Sequence, residues 1–179
     1  MRKVFQVKEN FTCGSHIHIA PTGRKFLLRE LQSLSYAIIT HEHLVNALLP
    51  PASTNNAYCK PNSTVSTQLQ NHFRAGRNRA SFTAVREVIK RMRNVCEVWA
   101  LMQGTEVQGR YVVWNFKNTA VAGGTGTVEF RGGRHLRGPN RTFWWITFVV
   151  AFVSLALRKV STCHANLTTP SLDDLRLHN

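Results

Sequence analysis

In the stretch CGSHIHIAP, residues 13–21, two histidines alternate with two isoleucines. Successive side chains of a strand point to opposite faces, so His16 and His18 share one side while Ile17 and Ile19 share the other. The alternation returns in GTVEFR, residues 126–131, where Thr127, Glu129 and Arg131 face one way and Val128 and Phe130 the other. Suppose both strands lie in one curved sheet with these polar faces toward a cavity. An imidazole and a carboxylate can then share a divalent cation, while a guanidinium grips a carboxylate or phosphate group. That equipment suits phosphate chemistry. Mg²⁺ prefers carboxylate oxygen and water, so one Glu and one His form an incomplete set unless other ligands join. The plainer alternatives are a half-exposed polar strand face and a surface ion pair. Cys13 beside His16 or His18 has the outline of a nucleophile and its base, but no third orienting group is evident.

These residues need elements to hold them. A strand over 4–8 precedes the histidine strand, which the pattern places at 15–20. Leu27, Leu31, Leu34, Ile38, His41, Val45 and Leu48 step by fours and threes, which predicts a long helix ended by Pro50-Pro51. His41 lies in that stripe and reads as packed at a helix interface. Residues 50–80 have the Pro, Asn, Ser and Thr content of a loop with one short helical turn, long enough to suggest a lid or insert. Ser81 reads as the N-cap of a second helix with an apolar stripe of Phe82, Val85, Ile89, Met92, Cys96 and Trp99. RYVVWNF, residues 110–116, is rich in β-branched and aromatic side chains and reads as a strand. KNTAVAGGTG follows as a glycine-rich turn. After GTVEFR, the basic loop GGRHLRGPNR offers backbone N–H groups that can hold phosphate oxygens. FWWITFVVAFVSLAL, residues 143–157, falls between the about 10 to 14 residues of a buried helix and the about 20 of a membrane span, and reads as a buried core helix.

The chain has 179 residues and a net charge of +14, from 23 Lys and Arg against 9 Asp and Glu. This length suits one domain, taken as 1–160, followed by a polar tail at 161–179. The charge favours anionic partners. The cysteines, at 13, 59, 96 and 163, fall in no metal-ligand spacing, and reduced thiols are expected. The N-terminal residues lack the apolar run of a secretory signal, so a cytoplasmic location is expected. A rival reading is a basic nucleic-acid-binding module: Arg74, Arg77, Arg79, Arg86, Lys90, Arg91 and Arg93, with Phe73, Phe82 and Trp99 interleaved, could track a phosphate backbone and stack bases. No recognised nucleic-acid-binding motif accompanies them.

CGSHIHIAP, LQSLSYAIITHEHLVNALLPP, NAYCKPNS, RYVVWNF, GTVEFR and RTFWWITFVVAF, in this order over 4–160, resemble the amidoligase family of the kind common in filamentous fungi. That family belongs to the glutamine synthetase-like carboxylate-amine ligases. The resemblance implies an α+β fold, part of a glutamine synthetase-like half-barrel: a curved, mainly antiparallel sheet covered on one face by long helices. It also implies ATP-dependent formation of an amide or peptide bond, in which a carboxylate is activated as an acyl phosphate on Mg²⁺ before an amine attacks. Residue by residue, His16 resembles the metal-binding histidine of the family's HxH strand and His18 the one nearer the ATP phosphates. Glu129 resembles the glutamate that shares the metal, and Arg131 the arginine that grips a substrate carboxylate or phosphoryl oxygens. Arg110 and Asn115 are further cofactor-binding candidates, and Glu42 matches a helix glutamate with a structural role. Family members carry an additional N-terminal strand with a Glu-x-Glu motif, so this chain is expected to begin after it. The implied partners are small-molecule or peptide carboxylate and amine substrates, with a partner chain or homo-oligomer completing the site. A catalytically inactive interaction or membrane-surface protein is the alternative if residues 143–157 stand exposed.

Overall fold

The core assembles on one strand. Val128 and Phe130 of β3 (Val128–Arg134) are fully buried, because the alternation of VEFR sends them to the helix-covered side of the sheet. The computed structural model describes residues 14–50, 53, 56–104, 111–134 and 138–161, with the backbone alone for Arg134 and 159–161. The expected strand at 4–8, Cys13, Arg110 and nearly all of the tail lie outside the described residues. β1 (Gly14–Ile19) and β2 (Trp114–Asn115) flank β3 in an antiparallel sheet of order β1-β3-β2. Ile17 lies opposite Phe130, His18 opposite Glu129, Trp114 opposite Phe130 and Asn115 opposite Glu129. This register places one apolar and one polar row across all three strands.

A bulge interrupts the β1–β3 pairing between Ser15 and Ile17, where β3 inserts an extra residue beside Arg131 and Gly132. A Cβ at Gly132 would lie 2.6 Å from the Leu49 Cδ2 atom, and one at Gly133 would collide with the Ser15 hydroxyl. A side chain at either glycine would have to displace Leu49 and Phe130, or Ser15. Residues 132–134 continue the strand, which corrects the expectation of a glycine-rich loop there; the part of that segment at 135–137 lies outside the described residues.

The helices meet the apolar row. α1 (Leu28–Leu48) buries Leu31, Leu34, Ile38 and Val45, as the spacing predicts, while Leu27 and Leu48 at its ends stand exposed. Its start is fixed by Glu30, which accepts a hydrogen bond from the Leu27 N–H at 2.9 Å and pairs with Arg24 through two contacts of 2.7 Å. Residues 50–80 are more ordered than their composition suggests: α2 (Asn62–Val65) and α3 (Thr67–Phe73) replace the expected single turn. Ser66 caps α3, and Leu69 anchors it in the core.

The expected second helix divides into two. Asn78, not Ser81, caps α4 (Arg79–Arg91), and Ser81 returns a reciprocal bond to the Asn78 N–H. The chain breaks at Met92 and restarts as α5 (Val95–Gln103), capped by Asn94. Beyond the break the buried positions shift, so Val98 is buried and Cys96 is exposed. A short α6 (Lys117–Ala120) precedes β3, within the segment read as a turn.

α7 (Gly138–Ser161) lies along α1. The Ser33 hydroxyl donates to the Ala156 carbonyl at 2.7 Å, His41 meets Phe152 edge-on, and Phe152 stacks on Trp114 at 5.1 Å between ring centroids. Val149, Phe152, Val153 and Ala156 are buried, but Phe143 and Trp144 are 63% and 65% exposed, and Ile146, Val150 and Leu155 are exposed as well. The expectation of a buried core helix is thus correct for one face only. By length and composition residues Gly138–Arg158 suffice to cross a membrane, a test that core helices of soluble proteins also pass. The whole is an α+β fold, a small antiparallel sheet with its helices on the apolar side.

Candidate active site

The polar row converges on Glu129. Its carboxylate is buried at the centre of the sheet because β1 and β2 bracket β3 on both sides. Oε1 accepts from Arg131 Nη1 at 3.1 Å and lies 2.8 Å from His16 Nδ1 and 3.8 Å from His18 Nε2. Oε2 accepts from Asn115 Nδ2 at 2.9 Å. The Asn115 amide oxygen accepts in turn from the Lys117 N–H at 2.9 Å, so its amide is fixed in orientation. His18 Nδ1 lies 3.0 Å from the Thr127 hydroxyl, which lies 2.8 Å from the hydroxyl of Thr125. Both histidine side chains are 45% exposed, so solutes reach this face.

The charges decide what the face can do. Burial, and then the Arg131 guanidinium, hold His16 below the ordinary histidine value of 6.5, against the opposing pull of Glu129. A neutral His16 donates its Nδ1–H to Glu129 and leaves Nε2 with a lone pair, the arrangement in which a histidine binds metal with a carboxylate behind it. Arg131 has a buried Nε with no hydrogen-bond partner, and its backbone carbonyl accepts from the Cys59 thiol at 3.5 Å. Burial pushes that thiol up to about 11, so Cys59 stays protonated and is not a nucleophile at neutral pH.

The Arg131 guanidinium suits the oxygens of a phosphate or carboxylate. Among the described residues no group of three His, Cys, Asp or Glu is arranged to hold a metal ion. Mg²⁺ is commonly held by one or two carboxylates together with substrate phosphates and water. One carboxylate, Glu129, and one imidazole, His16, do not make up the donor set of a cation held by protein alone, so substrate phosphates and water would have to supply the remaining ligands.

His16, His18, Asn115, Glu129 and Arg131, all singled out in the sequence, come together on one face; Arg110 lies outside the described residues. Thr125 and Thr127 extend the set. Alternation puts Thr127 on the side of Glu129, whereas Thr125 precedes the strand beyond Gly126, whose φ is 75°, and nothing in the sequence shows that either reaches His18. Glu42 is buried away from this face. It accepts from the Ser63 N–H at 3.0 Å, from the Ser63 hydroxyl and from Arg77 at 3.2 Å. The Arg77 guanidinium also donates to the Ile39 carbonyl at 2.6 Å and lies 4.3 Å above the Phe73 ring and 5.3 Å from that of Phe82. Arg77, Phe73 and Phe82, read as part of a nucleic-acid surface, pack on one another, with Arg77 paired to Glu42.

A family model described as "Putative amidoligase enzyme" matches residues 1–152. No curated protein and no solved structure matches the chain.

Proposed function

The chain belongs to the amidoligase family, and from that membership we propose that it joins a carboxylate to an amine at the face centred on Glu129, using ATP and Mg²⁺. The observation that carries this reading is the convergence of Arg131, His16, His18 and Asn115 on one buried carboxylate. ATP bound with Mg²⁺ would supply the phosphoryl group that activates the substrate carboxylate as an acyl phosphate. Arg131 grips anionic oxygen of the substrate carboxylate or the phosphoryl group, and His18 donates to the phosphates. Glu129 and His16 hold the cation side of the nucleotide, and Asn115 keeps the Glu129 carboxylate in place. The net charge of +14 favours the approach of both anions to the chain. The partners of this reading are a small-molecule or peptide carboxylate and an amine. A further chain, or a second copy of this one, would cover the exposed apolar side of α7.

Hydroxylamine trapping tests the reading. The purified chain is supplied with Mg·ATP, a panel of carboxylates and hydroxylamine as the amine, and ADP and hydroxamate are measured. Equal yields of both that depend on the carboxylate, and that are abolished by Arg131→Ala and Glu129→Ala, are expected. ADP release indifferent to the carboxylate and to both substitutions would overturn it.

A further inference from the structure

The two histidines of β1 have different partners behind them, and that difference sets what each can bind. His16 directs Nδ1 at a carboxylate, an acceptor, which requires a proton on Nδ1. His18 directs Nδ1 at the Thr127 hydroxyl at 3.0 Å and Nε2 toward Glu129 Oε1 at 3.8 Å. In a neutral imidazole one nitrogen carries the proton and the other accepts. A proton on His18 Nδ1 would leave the Nε2 lone pair aimed at carboxylate oxygen, which is repulsive. A proton on Nε2 is attracted by Glu129 and leaves Nδ1 to accept from Thr127. The Thr127 hydroxyl has a single hydrogen, so once it donates to His18 it accepts from Thr125, whose hydroxyl lies 2.8 Å away. In a neutral imidazole the Glu129 charge therefore favours the direction Thr125 to Thr127 to His18 over its reverse.

We propose that Thr127, backed by Thr125, is a positioning residue that fixes His18 as an Nε2–H donor, so that His18 recognises an anionic oxygen while His16 alone presents a lone pair to a cation. The assignment of tautomers stands on the hydrogen-bond geometry; the anion it serves, a nucleotide phosphate, rests on the ligase reading. Neither threonine bears on the core, since Thr125 is exposed and Thr127 half-exposed, so substitutions there leave the fold in place.

The test reads the tautomer directly, in the full ¹⁵N-labelled chain without nucleotide. Two-bond ¹H–¹⁵N correlation spectra above the histidine titration range distinguish the two neutral forms, and His18→Gln identifies the resonances. In the wild type the Nε2–H form of His18 dominates. Thr127→Val lowers the ratio of the two forms about fivefold, the effect of losing one hydrogen bond of ordinary net strength, and Thr127→Ser restores it. Thr125→Val moves the ratio in the same direction by less. A wild-type His18 with its proton on Nδ1, or a ratio unchanged in Thr127→Val, overturns the inference whatever the chain binds. ATP titrated into the same sample then tests the ligase reading separately: a His18 in the Nε2–H form that ignores Mg·ATP would overturn that reading and leave the tautomer assignment standing.

Discussion

Glu129 is a carboxylate buried among positive and neutral donors, and each partner does a different task. Arg131 neutralises it, His16 and Asn115 fix its two oxygens, and His18 directs Nε2 toward it from 3.8 Å. Removing a partner from a buried acceptor costs its desolvation, about 1–3 kcal/mol. Asn115→Ala, which frees Oε2 without touching Arg131, should lower unfolding stability by about that amount in a urea titration. The faces taken by the side chains of β1 and β3 were legible in the sequence because a period of two assigns each side chain to a face. The role of Arg77 was not. Among basic neighbours it reads as a solvated charge, and only the fold brings Glu42 and the rings of Phe73 and Phe82 around it.

Among the elements, α1 carries a pH dependence that can be worked out. The Arg24 guanidinium holds Glu30 below its ordinary value of 4.5; burial opposes it, and the Leu27 N–H adds a smaller pull in the same direction as Arg24. The unfolded chain therefore binds the Glu30 proton more readily than the folded one. The stabilisation is complete above pH 4.5 and is lost as pH falls through the lower folded value. Thermal unfolding followed by circular dichroism should show the wild type losing stability faster below pH 4.5 than Glu30→Gln, which lacks the titrating group. The buried stripe of α1 and its stop before Pro50 were legible because long periodic segments repeat their signal. α2 and α3 were not, since each spans one or two turns and is held from outside. Asn62 donates to the Met102 and Trp114 carbonyls, both at 2.8 Å, and accepts from the Trp114 N–H. The break between α4 and α5 was hidden because apolar residues keep helical spacing across it.

At the scale of the molecule, the +14 charge and the exposed apolar side of α7 are the two features that the fold does not consume. Exposed apolar patches mark interaction surfaces, and the sequence misled here because an apolar run records hydrophobicity without saying how much of it the rest of the chain covers. The charge separates the ligase reading from a nucleic-acid surface. Neutralising six to ten phosphates would make affinity for single-stranded DNA fall by about 10³–10⁵ between about 50 and 200 mM salt. The ligase reading predicts instead only weak DNA binding at low salt, measurable by fluorescence anisotropy. The most direct test of the central claim is calorimetric titration of ATP into the purified chain with and without Mg²⁺, for the wild type, His16→Ala and Glu129→Ala. The site described here predicts binding that requires Mg²⁺ and is weakened by both substitutions. Binding that is absent, or that ignores the metal and both substitutions, would contradict it.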